Sequence, residues 1–424
     1  MSIEELHQFF LQHPNVCTDT RKLKKDDIFF ALKGDNFNGN LYASEALAKG
    51  ASLAIIDEKE QHFSNKTLLV DNALETLQQL ANFHRNYYKA RVIALTGSNG
   101  KTTTKELIHA VLSKKYSTIA TQGNLNNHIG VPLTLLSITQ DTEIAIVEMG
   151  ANHQKEISFL CKIAQPDFGY ITNFGKAHLE GFGGEAGVIK GKSELYDYLM
   201  DNDKSVFLNA DDEIQEKKLR SYIKKMGFSG HNHTYYNILF LGADPYVALK
   251  AEDVIIKSQL IGSYNFTNCA IAVLMGKYFN VPIADTKSAI ESFVPQNNRS
   301  QVIIQNGHKI VLDAYNANPT SMEAALQNFK NMTGTPKIVF LGDMFELGET
   351  AAKEHQYIAD MAAKLGFDKI FLVGVNFDGV TSSLQTFSSF DTLKLYLKEH
   401  KPEKSTILIK GSRGMALERI LPLL

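Results

Sequence analysis

Short apolar runs alternate with polar, helix-patterned stretches along this chain, which predicts a mixed α/β protein. Up to about residue 85, the runs Ile28-Phe-Phe-Ala-Leu32, Leu53-Ala-Ile-Ile56 and Leu68-Leu-Val70 predict strands, and Tyr42 to Lys49 predicts a helix. A helix from Ala73 to Tyr87, apolar at Leu74, Leu77, Leu80 and Ala81, ends before polar Lys89-Ala-Arg91, where a boundary is expected. From Val92 the order becomes strand, glycine turn, helix, strand: Val92–Leu95, Thr104–Leu112, Ser117–Thr121, Glu143–Glu148 and Phe168–Thr172. That order predicts a parallel sheet flanked by helices. The β-like runs Ser205–Leu208, Tyr236–Leu241, Tyr246–Leu249 and Asp253–Lys257 suggest an antiparallel extension of the sheet. After polar Pro295-Gln-Asn-Asn-Arg299 a third alternation follows: strands at Lys309–Leu312, Lys337–Leu341, Lys369–Val373 and Thr406–Ile409, with helices from Ser321 and from Ala351. Three domains are expected: a small α/β domain over residues 1–87, a central P-loop-type, mostly parallel sheet flanked by helices over 88–297, and a Rossmann-like α/β domain over 298–424.

Length agrees, because 424 residues exceed the roughly 250–300 at which one hydrophobic core stops growing. With 44% hydrophobic and 21% charged residues the composition is that of a globular protein. A formal charge of −2 provides no broad positive field for nucleic acid or an anionic membrane, so an anionic ligand needs a local site. The start Met-Ser-Ile-Glu-Glu-Leu-His lacks the basic and apolar regions of a secretory signal, and no apolar run approaches a membrane span. A cytoplasmic protein is expected. Cys17, Cys161 and Cys269 lie far apart, which gives no disulfide or zinc pattern and reads as buried thiols.

The strongest local signal is Arg91-Val-Ile-Ala-Leu-Thr96-Gly97-Ser98-Asn99-Gly100-Lys101-Thr102-Thr103-Thr104, a strand entering a glycine turn and leaving as a helix. Backbone N–H groups and the helix N-terminus can surround phosphate oxygens there, Lys101 can reach the β and γ phosphates, and the Thr102 hydroxyl can ligate Mg²⁺. It departs from the strict Walker pattern, since Leu95 stands where the first Gly belongs. By itself the loop says nucleotide binding and nothing about the reaction.

Downstream, the strand Ile144–Val147 ends in Glu148-Met-Gly150, which puts a carboxylate at the C-terminal edge of a parallel sheet, a candidate Mg²⁺ ligand. The next strand opens into Asn173-Phe-Gly-Lys-Ala-His178-Leu-Glu-Gly181, where His178 is open between a structural and a functional role. Gly191-Lys192-Ser-Glu194-Leu-Tyr196 reads as the start of a helix, and on chemistry alone Lys192 is a solvated charge on it.

Thr96-Gly-Ser-Asn-Gly-Lys-Thr-Thr103, Glu148-Met-Gly-Ala-Asn-His153, Asn173 to Gly181 and Gly191 to Tyr196, in that order, resemble the Mur ligases, and the resemblance covers nearly the whole chain. It implies ATP-dependent amide-bond formation with two Mg²⁺ ions, Thr102 and Glu148 serving the first while His178 and a CO₂-carbamylated Lys192 serve the second. By the same carry-over Gly97, Ser98, Asn99, Gly100, Lys101, Thr102 and Thr103 bind ATP phosphates. Tyr264-Asn265-Phe-Thr-Asn268 resembles the family's motif near adenine with Tyr264 in place of His, and without the resemblance Asn265 and Asn268 read as helix caps. Arg299 matches an arginine that reaches nucleotide, with Asn298 before it where Gly is usual, and Asp313 is its partner on the ribose or phosphate side.

Gly123-Asn-Leu-Asn126-Asn127-His-Ile-Gly130, Asp313-Ala-Tyr-Asn316-Ala-Asn318, Leu341-Gly-Asp-Met-Phe-Glu346-Leu-Gly348 and Lys410-Gly-Ser412-Arg413 resemble the branch that adds D-alanyl-D-alanine. Thr20, Arg21 and Asn38 fall in stretches similar to the family's UDP-binding module, with Thr20 replacing the usual Ser and Asn40 the usual His. The implied reaction is phosphorylation of the terminal carboxylate of a UDP-N-acetylmuramoyl tripeptide by ATP, followed by attack of the D-alanyl-D-alanine amine on the acyl phosphate. A monomer acting on small molecules is expected. The alternatives are a related family member adding another amino acid, a folate-polyglutamate type ligase, a UDP-sugar binding module and a switch-type P-loop NTPase without ligase chemistry. His231-Asn-His233 and Lys22 to Asp27 read as solvated turns.

Overall fold

A computed structural model describes residues 1–295 and 298–424. The expected boundary after residue 297 falls on Asn297, outside the described residues.

Three larger sheets organise the chain. The first is parallel, with strands Val16–Cys17, Ile28–Phe30, Leu53–Ile56 and Thr67–Leu69 adjacent in chain order. Ile28 to Phe30 and Leu53 to Ile56 are buried throughout, as central parallel strands covered on both faces must be. The helix Ala73–Tyr87 forms where expected, with Asn72 accepting the Glu75 N–H at 3.0 Å and burying Leu77, Leu80, Ala81 and His84.

His84 ties this helix to its surroundings. Its Nε2 meets the Ile138 carbonyl at 2.7 Å and its Nδ1 meets His7 Nε2 at 2.9 Å. A carbonyl only accepts, so His84 donates through Nε2, and in the neutral ring its Nδ1 accepts from His7 Nε2. Burial pushes the His84 pKa down to about 4 and that of His7 down as well. A folded-state value below the unfolded 6.5 means that the unfolded chain takes up protons first as the pH falls. Stability present above pH 6.5 is therefore lost progressively down to about pH 4, on the order of 3 kcal/mol from His84 alone. Calorimetry from pH 7 downwards should show a fall in Tm that flattens in His84→Asn; equal slopes in the two proteins would remove His84 as the cause.

The central sheet has nine strands. Thr118–Ala120, Ile144–Glu148, Arg91–Thr96, Phe168–Ile171, Ser205–Asn209, Lys225–Ser229 and Tyr236–Ala243 run parallel, and Tyr246–Ala251 and Val254–Ile261 close one side as antiparallel strands. The antiparallel extension thus begins only after Tyr236–Ala243, and Ser205–Leu208, expected in it, belongs to the parallel part. Lys225–Ser229 escapes the hydrophobic pattern because it is short and centred on Gly227, where a Cβ would lie 2.7 Å from Tyr235 Cδ1. The helix Phe266–Tyr278, buried from Asn268 to Gly276, packs against the helix Lys101–Leu112.

In the third sheet, His308–Asp313, Thr406–Lys410, Lys337–Gly342, Lys369–Val373 and Gln385–Phe387 are parallel, and Gln301–Gln305 adds an antiparallel edge. That edge strand was not predicted, although Asn306-Gly307, with φ of 52° and 84°, is the dipeptide a tight hairpin turn favours. Among the described residues no helix is long and apolar enough to cross a membrane.

Candidate active site

Strand Arg91–Thr96 lies between Ile144–Glu148 on one side and Phe168–Ile171 on the other. The chain leaves it for the edge strand Thr118–Ala120, returns on that side, and then crosses over. Such a reversal opens a crevice at the C-terminal ends of the strands, and a cleft of about 1170 Å³ lies there. Its walls include Ser98 to Thr103, Asn126, Asn127, Glu148, Ala151, Asn173 and His178 from the central part, and Arg299, Asp313, Tyr315, Asn316, Asn318 and Lys410 from the third sheet and its loops.

The glycine turn is shaped by its neighbours. Gly97 has φ 144°, and a Cβ there would overlap Thr172 Oγ1, which donates to the Asn99 carbonyl at 2.6 Å. Ser98 and Asn99 spend their N–H groups on the Asn173 carbonyl and side-chain oxygen, both at 3.0 Å. These two amides therefore shape the loop, and the N–H groups left open to an anion are those at the start of the helix Lys101–Leu112, which Gly100 enters without a side-chain cap. Lys101 Nζ donates to the Gly97 and Ser98 carbonyls at 2.7 and 3.2 Å.

Across the turn, Thr102 Oγ1 and Asn126 Nδ2 both donate to Glu148 Oε1, at 3.3 and 2.8 Å. The other carboxylate oxygen, Oε2, is buried without a partner. An orphaned carboxylate oxygen beside a hydroxyl suits a hard cation that takes one or two protein oxygens and completes its shell with phosphates. Among the described residues no group of three or more His, Cys, Asp or Glu converges on one point, so nucleotide oxygens are needed to finish such a shell. Asn127 has its Oδ1 occupied by the Ile129 and Gly130 N–H groups at 3.1 and 2.9 Å.

Lys192 corrects the sequence reading. Its helix runs from Glu185 to Asp201, so the lysine is in the middle of it, and it is fully buried rather than solvated. Nζ donates to the Ala151 carbonyl at 2.9 Å and stands 4.9 Å from the Phe182 ring centre. Burial, and then the charge of Lys101, hold its pKa well below that of an ordinary lysine. It sits behind Ala151 rather than on the wall of the cleft. His178, with φ 53°, lines the cleft and turns Nδ1 to the Glu346 carboxylate.

Asn265 and Asn268 are not helix caps in the side-chain sense. Asn265 Nδ2 donates to the Ile261 carbonyl, and Asn268 bridges Asn265 Oδ1 and Thr104 Oγ1 at 2.8 and 2.9 Å beside Gly100. Tyr264 donates to or accepts from Ser300 Oγ at 2.9 Å, Arg299 lies 3.5 Å from the Tyr315 ring centre, and Asp313 accepts from Ser300 N and from Lys410 Nζ at 3.0 and 2.6 Å. Asn318 Nδ2 donates to Asn99 Oδ1 at 2.7 Å, joining the phosphate turn to the third sheet's side.

The remaining predicted residues lie outside the cleft. Arg21 is exposed on Asp19, Asn38 donates to Glu58, and Thr20 is buried, its carbonyl accepting from Lys49 Nζ at 3.0 Å. Ser412 supports Phe345 N at 3.0 Å, and Arg413 is mostly exposed near Glu418. Asn40 is fully buried and exchanges two hydrogen bonds with Asp57, at 2.8 and 3.0 Å. His231 and His233 are exposed, as expected. Asn173, Tyr315 and Glu346 were assigned no role from sequence; Asn173 had a usable signal, since it directly follows a parallel strand, as Glu148 ends one.

Three family models match in chain order: the Mur ligase family catalytic domain over residues 14–85, the Mur ligase middle domain over 95–276, and the Mur ligase glutamate ligase domain over 298–413. The UDP-N-acetylmuramoyl-tripeptide–D-alanyl-D-alanine ligases of Bacillus subtilis (strain 168) and Escherichia coli (strain K12) are each 32% identical to this chain, covering 96% of it and 92% of their own length. A crystal structure of MurF from Acinetobacter baumannii superposes with a TM-score of 0.85 at 31% identity, covering 96% of this chain and 92% of that one. MurF ligase from Thermotoga maritima in complex with ADP gives 0.85 at 26% identity, covering 97% of both.

Proposed function

This chain belongs to the Mur ligase family, and from that premise we propose that it uses ATP to join D-alanyl-D-alanine to a UDP-N-acetylmuramoyl tripeptide, releasing ADP and phosphate. The observation that carries the reading is the shared cleft, where a phosphate turn and the unpartnered Glu148 oxygen face Asn316, Asn318 and Lys410 from another sheet. Asn126 and Asn127 stand with them, while Thr20, Arg21 and Asn38 are assigned to the UDP end, with Ser412 and Arg413 supporting the amine side. One chain supplies every wall, so a monomer suffices. In this reading residues 1–87, 88–297 and 298–424 are the bodies that close on the substrates.

The electrostatic problem is the approach of a carboxylate to phosphates of the same sign. Lys101, turning from the Gly97 and Ser98 carbonyls, and the uncapped helix start supply countercharge to the phosphoryl group as it transfers. Thr102 and Glu148 would hold one Mg²⁺, and the family resemblance assigns a second to His178 with Lys192, whose amine lies behind Ala151 rather than on the cleft wall; bound ions would neutralise phosphate and carboxylate charge. Lys192 suits that role only as a carbamate. Its burial favours the neutral amine, which can form an N–C bond to CO₂ and lose a proton to solvent. Asn265 and Asn268 hold the far side of the nucleotide pocket, and Arg299 and Asp313 reach it as the third sheet closes and excludes water from the acyl phosphate.

The test is phosphate release by purified protein given ATP with UDP-tripeptide, with D-alanyl-D-alanine, and with both. Release and pentapeptide formation only with both are expected. Release indifferent to either substrate points to a switch-type NTPase, and stimulation by another amino acid alone points to a different amine.

A further inference from the structure

The loop at residues 343–348 reaches from the third sheet to His178, and it is held more firmly than its exposure suggests. Asp343 accepts from the Asn376 and Phe377 N–H groups, each at 3.0 Å. The next two amides are also anchored, Met344 N on His355 Nε2 and Phe345 N on Ser412 Oγ, both at 3.0 Å. Glu346 follows on this arm with φ 61°, its carboxylate in close contact with His178 Nδ1, a buried nitrogen that makes no aligned hydrogen bond, and its carbonyl accepting from Glu180 N at 3.4 Å. Gly348 lets the arm come close, because a Cβ there would lie 3.2 Å from Glu180 Cβ. His178, at φ 53°, is also left-handed. Two non-glycine residues in that region facing each other across two sheets mark a geometry kept against strain.

We propose that Glu346 is a positioning residue: its carboxylate, brought against His178 Nδ1 from the third sheet's side, favours the proton on that nitrogen and leaves Nε2 free to act as a ligand. An imidazole that donates through one nitrogen to a carboxylate presents the other as a better oriented, more basic ligand. Because the carboxylate comes from the third sheet's side, the docking of that side and the readiness of His178 are linked. The inference rests on His178 being a ligand in the function proposed above.

The experiment uses the full chain with Glu346→Ala, Glu346→Gln, His178→Ala and the double variant Glu346→Ala/His178→Ala, with thermal melts confirming folding. Glu346→Ala should lower kcat by about 10- to 100-fold with KM for either substrate changed less than about threefold, and should weaken Mn²⁺ binding in the presence of ADP by a similar factor. Glu346→Gln, whose amide oxygen still accepts from Nδ1, should recover most of both. ¹⁵N spectra of labelled histidine should show the Nδ1–H form of His178 in the unaltered protein and a mixture in Glu346→Ala. The double variant should be no worse than His178→Ala. Unchanged Mn²⁺ affinity and tautomer in Glu346→Ala, or losses that multiply in the double variant, overturn the proposal while leaving the ligase reading intact. Full activity and Mn²⁺ binding in His178→Ala would instead remove the metal role of His178 and the proposal with it.

Discussion

Lys192→Ala lowers ligation by about 10²- to 10³-fold, the size of losing one preorganised charge from a water-excluded site, and short carboxylic acids such as acetate restore part of the rate. The lysine is fully buried in the middle of its helix, with one carbonyl partner, that of Ala151. A permanently charged ammonium in that position would be costly, and burial pushes the equilibrium towards the neutral amine. The neutral amine is the form that reacts with CO₂. Since the folded value is depressed, the amine stays reactive to a lower pH than an ordinary lysine, and activity should fall as pH drops through that depressed value. Removing CO₂ from the assay should depress the rate of the unaltered enzyme and not that of the variant. Lys192→Met separates chemistry from packing: it fills the same space without the amine and should melt no lower than the unaltered protein, yet remain inactive. Full ligase activity in Lys192→Met would sink the role assigned to this residue.

Gly97→Ala should damage both stability and turnover. The residue has φ 144°, which an L side chain rarely adopts, at a cost of about 1–3 kcal/mol. The added Cβ also overlaps Thr172 Oγ1, and Thr172 cannot retreat easily, because its N–H donates to the Thr96 carbonyl at 2.9 Å and its hydroxyl to the Asn99 carbonyl at 2.6 Å. The phosphate turn must shift instead, and a displacement of about 1 Å at a reacting centre can cost about 10²-fold in rate. Isothermal titration with ADP and steady-state kinetics would measure the two losses separately. In Gly97→Ala/Thr172→Ala the overlapping hydroxyl is gone and the backbone cost remains, so part of the rate should return. A single variant with unaltered ADP affinity and rate would show that the turn tolerates movement, against this account.

The elements whose identity depends on neighbours a few residues away were legible in the chain. The phosphate turn is one, since strand, glycines and helix start follow within Arg91 to Thr104, and Glu148 is another, because ending a parallel strand already places it at the sheet's mouth. The helix Ala73–Tyr87 was legible from its apolar spacing and its Asn cap. The family motifs added the order in which these pieces belong to one enzyme.

Other features were decided only when distant segments met. Lys192 looked solvated because helical spacing says nothing of what covers a face, and Ala151 and Phe182 arrive from other elements to bury it. Asn265 and Asn268 looked like caps, but folding turns their side chains to Ile261, Thr104 and each other. Glu346 stood in a family-like motif that gave it no role, and only the docking of the third sheet's loop brings its carboxylate to His178. The physical division is between range and medium: backbone dihedrals and strand ends are set by adjacent residues, whereas desolvation and side-chain pairing depend on whatever the tertiary fold carries within a few ångströms.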